Sequence, residues 1–480
     1  MARVSILTRM AATRTAEFRD WFDERTGASE TARAALAEPI RGGARWTYVF
    51  GSGLAFLAAL QALTGIALSI YYVPSSDHAH ASVVFIQKAV PAGALLRGLH
   101  HYGASAMIVL IVMHLTQVFL FGAYKAKREL VWVTGVVMLL VILAFAFTGY
   151  LLPWDQAAYF GTKVGTSIAG EVPVIGEIQR RIMLGGTDLT TLTLSRFFTA
   201  HILLFPLALL VMIATHILLF RRAGAAGPYH RRDDHRVDSF YPKQMLMDAV
   251  FMLILFVALA VLSTKWPAEL GPQADPTSDY LARPPWYFLP LFQLLKYFPG
   301  KLSLIPTVLL PGALFTTLLL LPFADRRAER HPLRRPIATG MLALILAGAA
   351  GLIVLSKYED RTNKEFSVKI KEQEEAARAF MTAKFQPQVI GQAIAAMPAA
   401  GAPPAAFSEN CAMCHGDRGE GNEVGPALTG ITEKPGRAPE DLLKLLKDSR
   451  AYGLKDPMPE SFELAEDEKR QIVEWLKKLK

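Results

Sequence analysis

Cysteine is all but missing from this chain of 480 residues: Cys411 and Cys414 are its only two, so no disulfide framework can hold it together. Charge is scarce as well. Only 19% of the residues are charged and 52% are hydrophobic, against about 25% and roughly 45–50% in ordinary soluble proteins. That excludes a disordered chain and a plain soluble enzyme. Residues 1–45 alternate small, acidic and basic types and lack an apolar h-region, so no cleavable signal peptide is expected and the first long apolar block does the targeting. No internal repeat is visible.

What the chain has instead is a series of uncharged apolar blocks, each long enough to span a bilayer. Seven spans are expected, at 47–73, 102–121, 131–152, 201–220, 246–264, 303–323 and 337–356. The net charge is +9, with −3 in residues 404–480 and +12 in residues 1–403. The basic excess therefore sits in the membrane part, where loop orientation accounts for it and nucleic acid is not needed. Lys and Arg crowd the N-terminal tail and the segments 122–130, 221–245 and 324–336, which marks those as cytoplasmic. The segments 74–101, 153–200 and 265–302 then lie outside, and so does everything after residue 356. Residues 357–397 read as a charged helical connector, 398–406 as an Ala/Pro/Gly hinge, and the remainder as a small soluble domain.

Histidine is placed unusually for a membrane protein. His100 and His114 bracket the second span and His201 and His216 the fourth. At ~100° and ~1.5 Å per residue, 14 residues return to within about 40° of the same helix face, about 21 Å further along. The fourth-span pair is 15 apart and overshoots to about 60° on an ideal helix, a difference that a kink at Pro206 can absorb. His101 is 13 residues from His114, about 220° around, on the wrong face. Two helices with an upper and a lower histidine each can clamp two stacked metal centres, and in an apolar interior the natural guest is haem. Gly51 and Gly65 in the first span and Gly135 and Gly149 in the third repeat the 14-residue interval. They offer room at the two histidine levels, although small residues also serve ordinary helix packing in membranes.

Both cysteines belong to one motif, Cys411-Ala-Met-Cys414-His415, a site for covalent haem c with the histidine as iron ligand. A zinc half-site or a redox pair would share the Cys-x-x-Cys, but no second pair exists and the histidine follows at once. Met458, in Pro457-Met458-Pro459, is the expected second ligand of the haem c iron; Met413 is too close to the attachment point and Met397 precedes the domain.

The runs Arg97-Gly-Leu-His100-His-Tyr-Gly-Ala-Ser105, Lys125 to Trp132, Gly149-Tyr-Leu-Leu-Pro-Trp-Asp-Gln156, Leu194-Ser-Arg-Phe-Phe-Thr-Ala-His201 and Pro285-Trp-Tyr-Phe288 together resemble the cytochrome b family of quinol-oxidising cytochrome bc complexes. The match is nearest the split photosynthetic form, here with its small second subunit fused on. Gly425-Pro426-Ala-Leu428 and a final helix with Trp475 resemble class I cytochromes c. The resemblance implies an all-α fold in five parts: a cytoplasmic segment (1–45), a four-helix haem-binding domain (46–236), a three-helix domain (237–356), an extracytoplasmic helical linker (357–403) and a cytochrome c domain (404–480). It implies two non-covalent haems b, the outer, lower-potential one on His100 and His201 and the inner one on His114 and His216. Gly51, Gly65, Gly135 and Gly149 would pack against these haems, and Arg97, Arg128 and Arg196 would meet their propionates, although snorkelling alone also places arginines at such depths.

In the family, quinol is oxidised in an outer pocket made by the loop after the third span and a Pro-Glu-Trp-Tyr motif. Here Gly161, Trp286 and Tyr287 match that pocket, and Pro285 replaces the glutamate, so a proton from quinol must leave by water, Tyr287, Asp155, Asp279 or a partner's histidine. Arg221 matches a position near the inner quinone site. Val49 stands where some relatives carry a cysteine that tethers an extra haem, which this chain therefore lacks.

The implied function is a subunit of a quinol–cytochrome c reductase in the bacterial cytoplasmic membrane. It would be dimeric and surrounded by lipid, pair with a Rieske iron–sulfur protein, use quinol with menaquinol slightly favoured, and pass electrons to a downstream cytochrome c or oxidase. A dihaem relay or anchor serving another oxidoreductase, without electron bifurcation, is the second reading.

Overall fold

In hydrocarbon every backbone N–H and C=O needs a partner within the protein, so apolar runs of this length become helices. The computed structural model describes residues 16–227, 236–385, 403–416, 418–421, 425–434, 437–448 and 464–479. It contains seven helices long and apolar enough to cross a membrane: Trp46–Ser69, Gly93–Leu120, Glu129–Leu151, Thr191–Ala223, Phe240–Lys265, Gly300–Ala324 and Pro336–Thr362. The protein is a multi-pass membrane protein and mostly helical. The second and fourth helices begin between two and three turns before the expected spans, because the polar and small residues ahead of each apolar block continue the helix into the interface. His100 and His201 thus sit within their helices rather than at the ends.

The fourth helix answers the spacing question. Residues Ala200–Leu204 form a π-helical turn that contains His201 and runs into Phe205-Pro206. Proline lacks an N–H to close the ordinary ladder, and the wider π turn takes up roughly one extra residue. The 15-residue interval to His216 therefore behaves as the 14-residue interval does on the second helix.

The first and fifth helices pack on the second, and the sixth and fourth on the third. Two loops at the His114 end are locked together by buried charge. Lys125 Nζ donates to Asp325 Oδ1 at 2.7 Å and to the carbonyls of Arg327 and Glu329, while Arg335 donates to Tyr124 Oη and to the carbonyls of Phe119 and Leu120. A small antiparallel ribbon, absent from the all-α expectation, pairs β1 (Pro39–Arg41) with β2 (Val237–Ser239) in the register Pro39 to Ser239.

After the seventh helix, Asn363 caps a second helix, Lys364–Thr382, by accepting from the Glu365 and Phe366 amides. Its far end is held by Lys88, whose Nζ donates to the Phe380 and Ala383 carbonyls at 2.7 Å each, a cation at a helix C-terminus. Phe380 packs against His80, ring centroids 5.2 Å apart. The chain divides into two units at Phe385/Gln386. The second unit has its own core, in which Phe407 and Trp475 pack at 4.6 Å beside Leu442, Ile472, Val473 and Leu476.

Candidate functional site: two histidine pairs and a Cys-x-x-Cys-His helix

The second and fourth helices bring His100 and His201 face to face, ring centroids 6.2 Å apart. At ~2 Å per metal–nitrogen bond, two imidazoles sharing one metal ion have ring centres about 6 Å apart, so the gap fits a single shared ion. The same two helices carry His114 and His216 at the other level. Among the described residues no group of three or more His, Cys, Asp or Glu could chelate a bare ion. Two-histidine pairs supply only axial ligands, which is what an iron already held in a macrocycle requires.

Each histidine meets one glycine of a neighbouring helix. A Cβ on Gly65 would lie 3.2 Å from His100 Cε1, on Gly149 2.6 Å from His201 Cε1, on Gly135 3.5 Å from His216 Cε1, and on Gly51 3.7 Å from His114 Cε1. The first helix thus serves the second-helix histidines and the third helix the fourth-helix ones. Two polar atoms inside the bundle, Gln61 Nε2 and His114 Nδ1, have no hydrogen-bond partner. These features fit haem at both levels.

The three arginines occupy the ends of the bundle and bind backbone carbonyls. Arg97 donates to Gln87 Oε1 at 2.8 Å, to the Ala268 carbonyl at 2.7 Å and to that of Glu269. Arg196 donates to the Ile182 carbonyl, and Arg128 to those of Gly224 and Ala225. Arg221 is half-exposed and lies 3.7 Å from Glu38.

Tyr150 links two of the segments expected around a quinol pocket. Gly161 faces Tyr150, with 2.5 Å from a would-be Cβ to Tyr150 Cε1. Tyr150 Oη donates to the Ala157 carbonyl at 2.9 Å and shares that proton with the Arg283 carbonyl at 3.3 Å, which ties the third helix to the segment ahead of Pro285. Trp286, Tyr287 and Phe288 stack edge to face. Burial pushes the Tyr287 phenol up to about 12. Burial, with Asp155 and Glu269 nearby, pushes Tyr280 up to about 12. Such phenols stay protonated and can pass a proton along only by accepting one as they donate another.

Asp155 is committed elsewhere. It caps helix Gln156–Gly170 through the Ala158 amide at 2.9 Å and accepts from the Gly271 amide at 3.0 Å. Asp279 is exposed and paired with Lys369 at 2.7 Å.

Two buried carboxylates escaped the sequence reading. Asp248, 6% exposed, lies near the start of the fifth helix and accepts from Ser52 Oγ at 2.7 Å and from Gln244 Nε2 at 2.8 Å. Ser52 follows Gly51, which faces His114, so this carboxylate stands at that level of the bundle. An ionisable residue within an apolar span is itself a functional signal. Asp360, buried, is paired at 2.7 Å with Arg283, which is only 15% exposed and stands two residues before Pro285; the place of Asp360 beyond the expected end of the seventh span concealed it.

In the second unit, Cys411 caps the short helix Ala412–His415, which carries Cys414 and His415, and both thiols are free. Burial, reinforced by Cys414, pushes the Cys411 thiol up to about 11. His415 Nδ1 donates to the Pro426 carbonyl at 2.9 Å, an acceptor only, which leaves Nε2 as a free lone pair for a metal. Gly425 permits this approach, since a Cβ there would lie 2.5 Å from the Cys414 carbonyl oxygen and 3.0 Å from His415 Nδ1. This donor set fits haem c. Met458 lies outside the described residues.

Known proteins match in the same order along the chain. Residues 38–224 match the cytochrome b/b6/petB family model, 273–371 the cytochrome b(C-terminal)/b6/petD model, and 402–480 the cytochrome c model. The cytochrome bc complex cytochrome b subunit of Chlorobaculum thiosulfatiphilum is 38% identical over 310 residues, covering 63% of this chain and 71% of that protein. The menaquinol:cytochrome c reductase cytochrome b subunit of Bacillus subtilis (strain 168) is 40% identical over 217 residues, 44% of this chain and 97% of that one. A solved structure described as a hyperthermophilic respiratory Complex III is similar with a TM-score of 0.64 and 28% identity, covering 76% of this chain and 97% of its own. The chain belongs to the cytochrome b family of cytochrome bc complexes, joins it to a C-terminal cytochrome c domain, and is a haem-protein subunit of an oxidoreductase complex of the Complex III type.

Proposed function

We propose that the chain is the cytochrome b/c subunit of a quinol:cytochrome c reductase that oxidises quinol at the Tyr287 end of the bundle. His100 and His201 hold one haem b, His114 and His216 the other, and Cys411, Cys414, His415 and Met458 hold haem c. The single observation that carries this is the His100/His201 separation of 6.2 Å in spans that repeat the same pairing about four turns away. Bound there, haem would supply one-electron carriers, two across the bilayer and one on the cytochrome c domain, as a reductase that divides the two electrons of quinol with a Rieske partner requires.

The chain's own residues bind and orient. Tyr150 fixes the segment ahead of Pro285 against the Gly161 helix, and the Arg283–Asp360 pair holds it from the other side. Trp286, Tyr287 and Phe288 give the pocket aromatic walls for a quinol ring. Pro285 carries no ionisable group, so the proton leaves through ordered water or a phenol acting as acceptor and donor together. At the other level, Asp248 with Ser52 and Gln244 gives a quinone oxygen a buried acid at the depth where Gly51 faces His114, with Arg221 at the helix end.

The positive-inside pattern and seven crossings support a cytoplasmic N-terminus and a cytochrome c domain on the opposite side, where thioether attachment takes place. The menaquinol:cytochrome c reductase named among the similar proteins favours menaquinol, and two copies of the chain make up the working complex. The missing carboxylate at residue 285 favours the relay reading as the alternative. Purification of the intact complex from membranes separates the two. The reductase reading expects a co-purifying Rieske [2Fe–2S] protein, with quinol reducing the haems b and haem c together. A preparation that lacks it and still passes both electrons of quinol to haem c supports the relay.

A further inference from the structure

Three of the four spanning histidines share a device that the fourth lacks. His100 Nδ1 lies 3.0 Å from Thr64 Oγ1, His216 Nδ1 2.9 Å from Thr134 Oγ1, and His201 Nδ1 3.3 Å from Thr148 Oγ1. Each threonine immediately precedes the glycine that faces the same histidine, Gly65, Gly135 and Gly149 respectively. Each also donates to its own helix: Thr64 to the Leu60 carbonyl at 2.7 Å, Thr134 to that of Val131 at 2.9 Å and Thr148 to that of Ala144 at 2.9 Å.

A hydroxyl has one proton and two lone pairs. With the proton committed to the helix, the oxygen can only accept from the imidazole. Nδ1 must therefore carry the ring proton, and Nε2 keeps its lone pair for iron. The Phe145 carbonyl, 3.2 Å from His201 Nδ1, enforces the same tautomer. On the first helix the corresponding position before Gly51 is Phe50. It has no hydroxyl and packs on Phe251 at 6.1 Å, and His114 Nδ1 is left without a partner.

We propose that Thr64, Thr134 and Thr148 are positioning residues that also set the two haem potentials apart, with both ligands supported at His100/His201 and only one at His114/His216. This rests on the two-haem reading above. An Nδ1–H held by an acceptor makes the imidazole a stronger donor to iron and stabilises the oxidised metal, which lowers its potential. The count of two against one makes the His100/His201 haem the lower of the pair and the step to the His114/His216 haem downhill.

The test is an optical redox titration of the purified full-length protein, with haem counted by pyridine haemochrome. Thr64→Val and Thr148→Val raise the midpoint potential of the His100/His201 haem alone, and Thr134→Val that of the other haem alone. The matching Thr→Ser variants return each to wild type, and Phe50→Thr lowers the His114/His216 haem, narrowing the gap. A valine variant that loses its haem where the serine variant keeps it also upholds the positioning role. Valine variants with both haems at wild-type potentials, or with both haems shifted alike, overturn the inference while the two-haem reading stands. A wild-type protein without two haems b removes that reading and the inference together.

Discussion

His201 Cε1 lies 2.6 Å from the point a Cβ would occupy on Gly149, while His114 Cε1 clears the same point on Gly51 by 3.7 Å. The first distance is closer than non-bonded carbons approach; the second is an ordinary contact. Alanine substitutions should therefore grade. Gly149→Ala displaces His201 and depletes the haem b of the His100/His201 pair, Gly65→Ala at 3.2 Å weakens it, and Gly135→Ala at 3.5 Å and Gly51→Ala leave haem content near wild type. Haem b per chain, measured for all four variants, checks the order.

Asp360 is buried and Arg283 largely so, so removing one partner strands the other charge. Asp360→Asn or Arg283→Met alone should cost on the order of 3–5 kcal/mol, seen as a lower thermal midpoint together with loss of quinol-driven haem b reduction. The double variant Arg283→Met, Asp360→Leu should recover most of the stability, because an apolar pair of similar volume replaces a buried ion pair at little cost.

His80 makes the docking of helix Lys364–Thr382 sensitive to acid. Its ring is buried against Phe380 and bonded to the Gly271 carbonyl at 2.8 Å. Burial holds its pKa below the usual histidine value, Arg97 adds to that, and the Gly271 carbonyl and Asp155 oppose it. A lowered histidine pKa means that the unfolded segment binds the proton more readily than the docked one. The stabilisation is complete above about pH 6.5 and is lost as pH falls below that toward the docked-state pKa. Hydrogen-exchange protection factors of residues 364–382, corrected for the intrinsic pH dependence of exchange, should fall between about pH 7 and 5, and His80→Gln should flatten the dependence.

Both cysteines are needed for a haem that survives denaturation. Cys411→Ser with Cys414→Ser should abolish the covalent c-type band and spare both haems b. Met458→Ala should lower the haem c potential, since loss of a thioether ligand favours the oxidised iron, whereas Met413→Ala, with an exposed side chain, should not.

Much of the site was legible because it is written in spacing. The histidine and glycine intervals follow from helical periodicity, and Cys-x-x-Cys-His is local chemistry. The spans were visible in hydropathy, although their ends were not, since polar turns at an interface carry no apolar signal. Pro206 signalled an irregularity at His201, but only the fold shows it to be a π turn. Asp248 and Asp360 were hidden because their importance comes from neighbours 196 and 77 residues away, Ser52 and Arg283. The same holds for the threonines: Thr64 is an unremarkable helix residue until His100, 36 positions on, is placed beside it. The β1–β2 ribbon, joining residues 39–41 to 237–239, has no periodicity of its own in so short a stretch.

The central claim is that four imidazoles hold two haems b in this one chain. Pyridine haemochrome analysis of the purified wild-type protein, beside His100→Ala and His114→Ala, tests it most directly. The account predicts two haems b and one haem c per wild-type chain, with one haem b lost in each variant and haem c retained. A wild-type protein that carries haem c alone, or variants that keep both haems b, would contradict it.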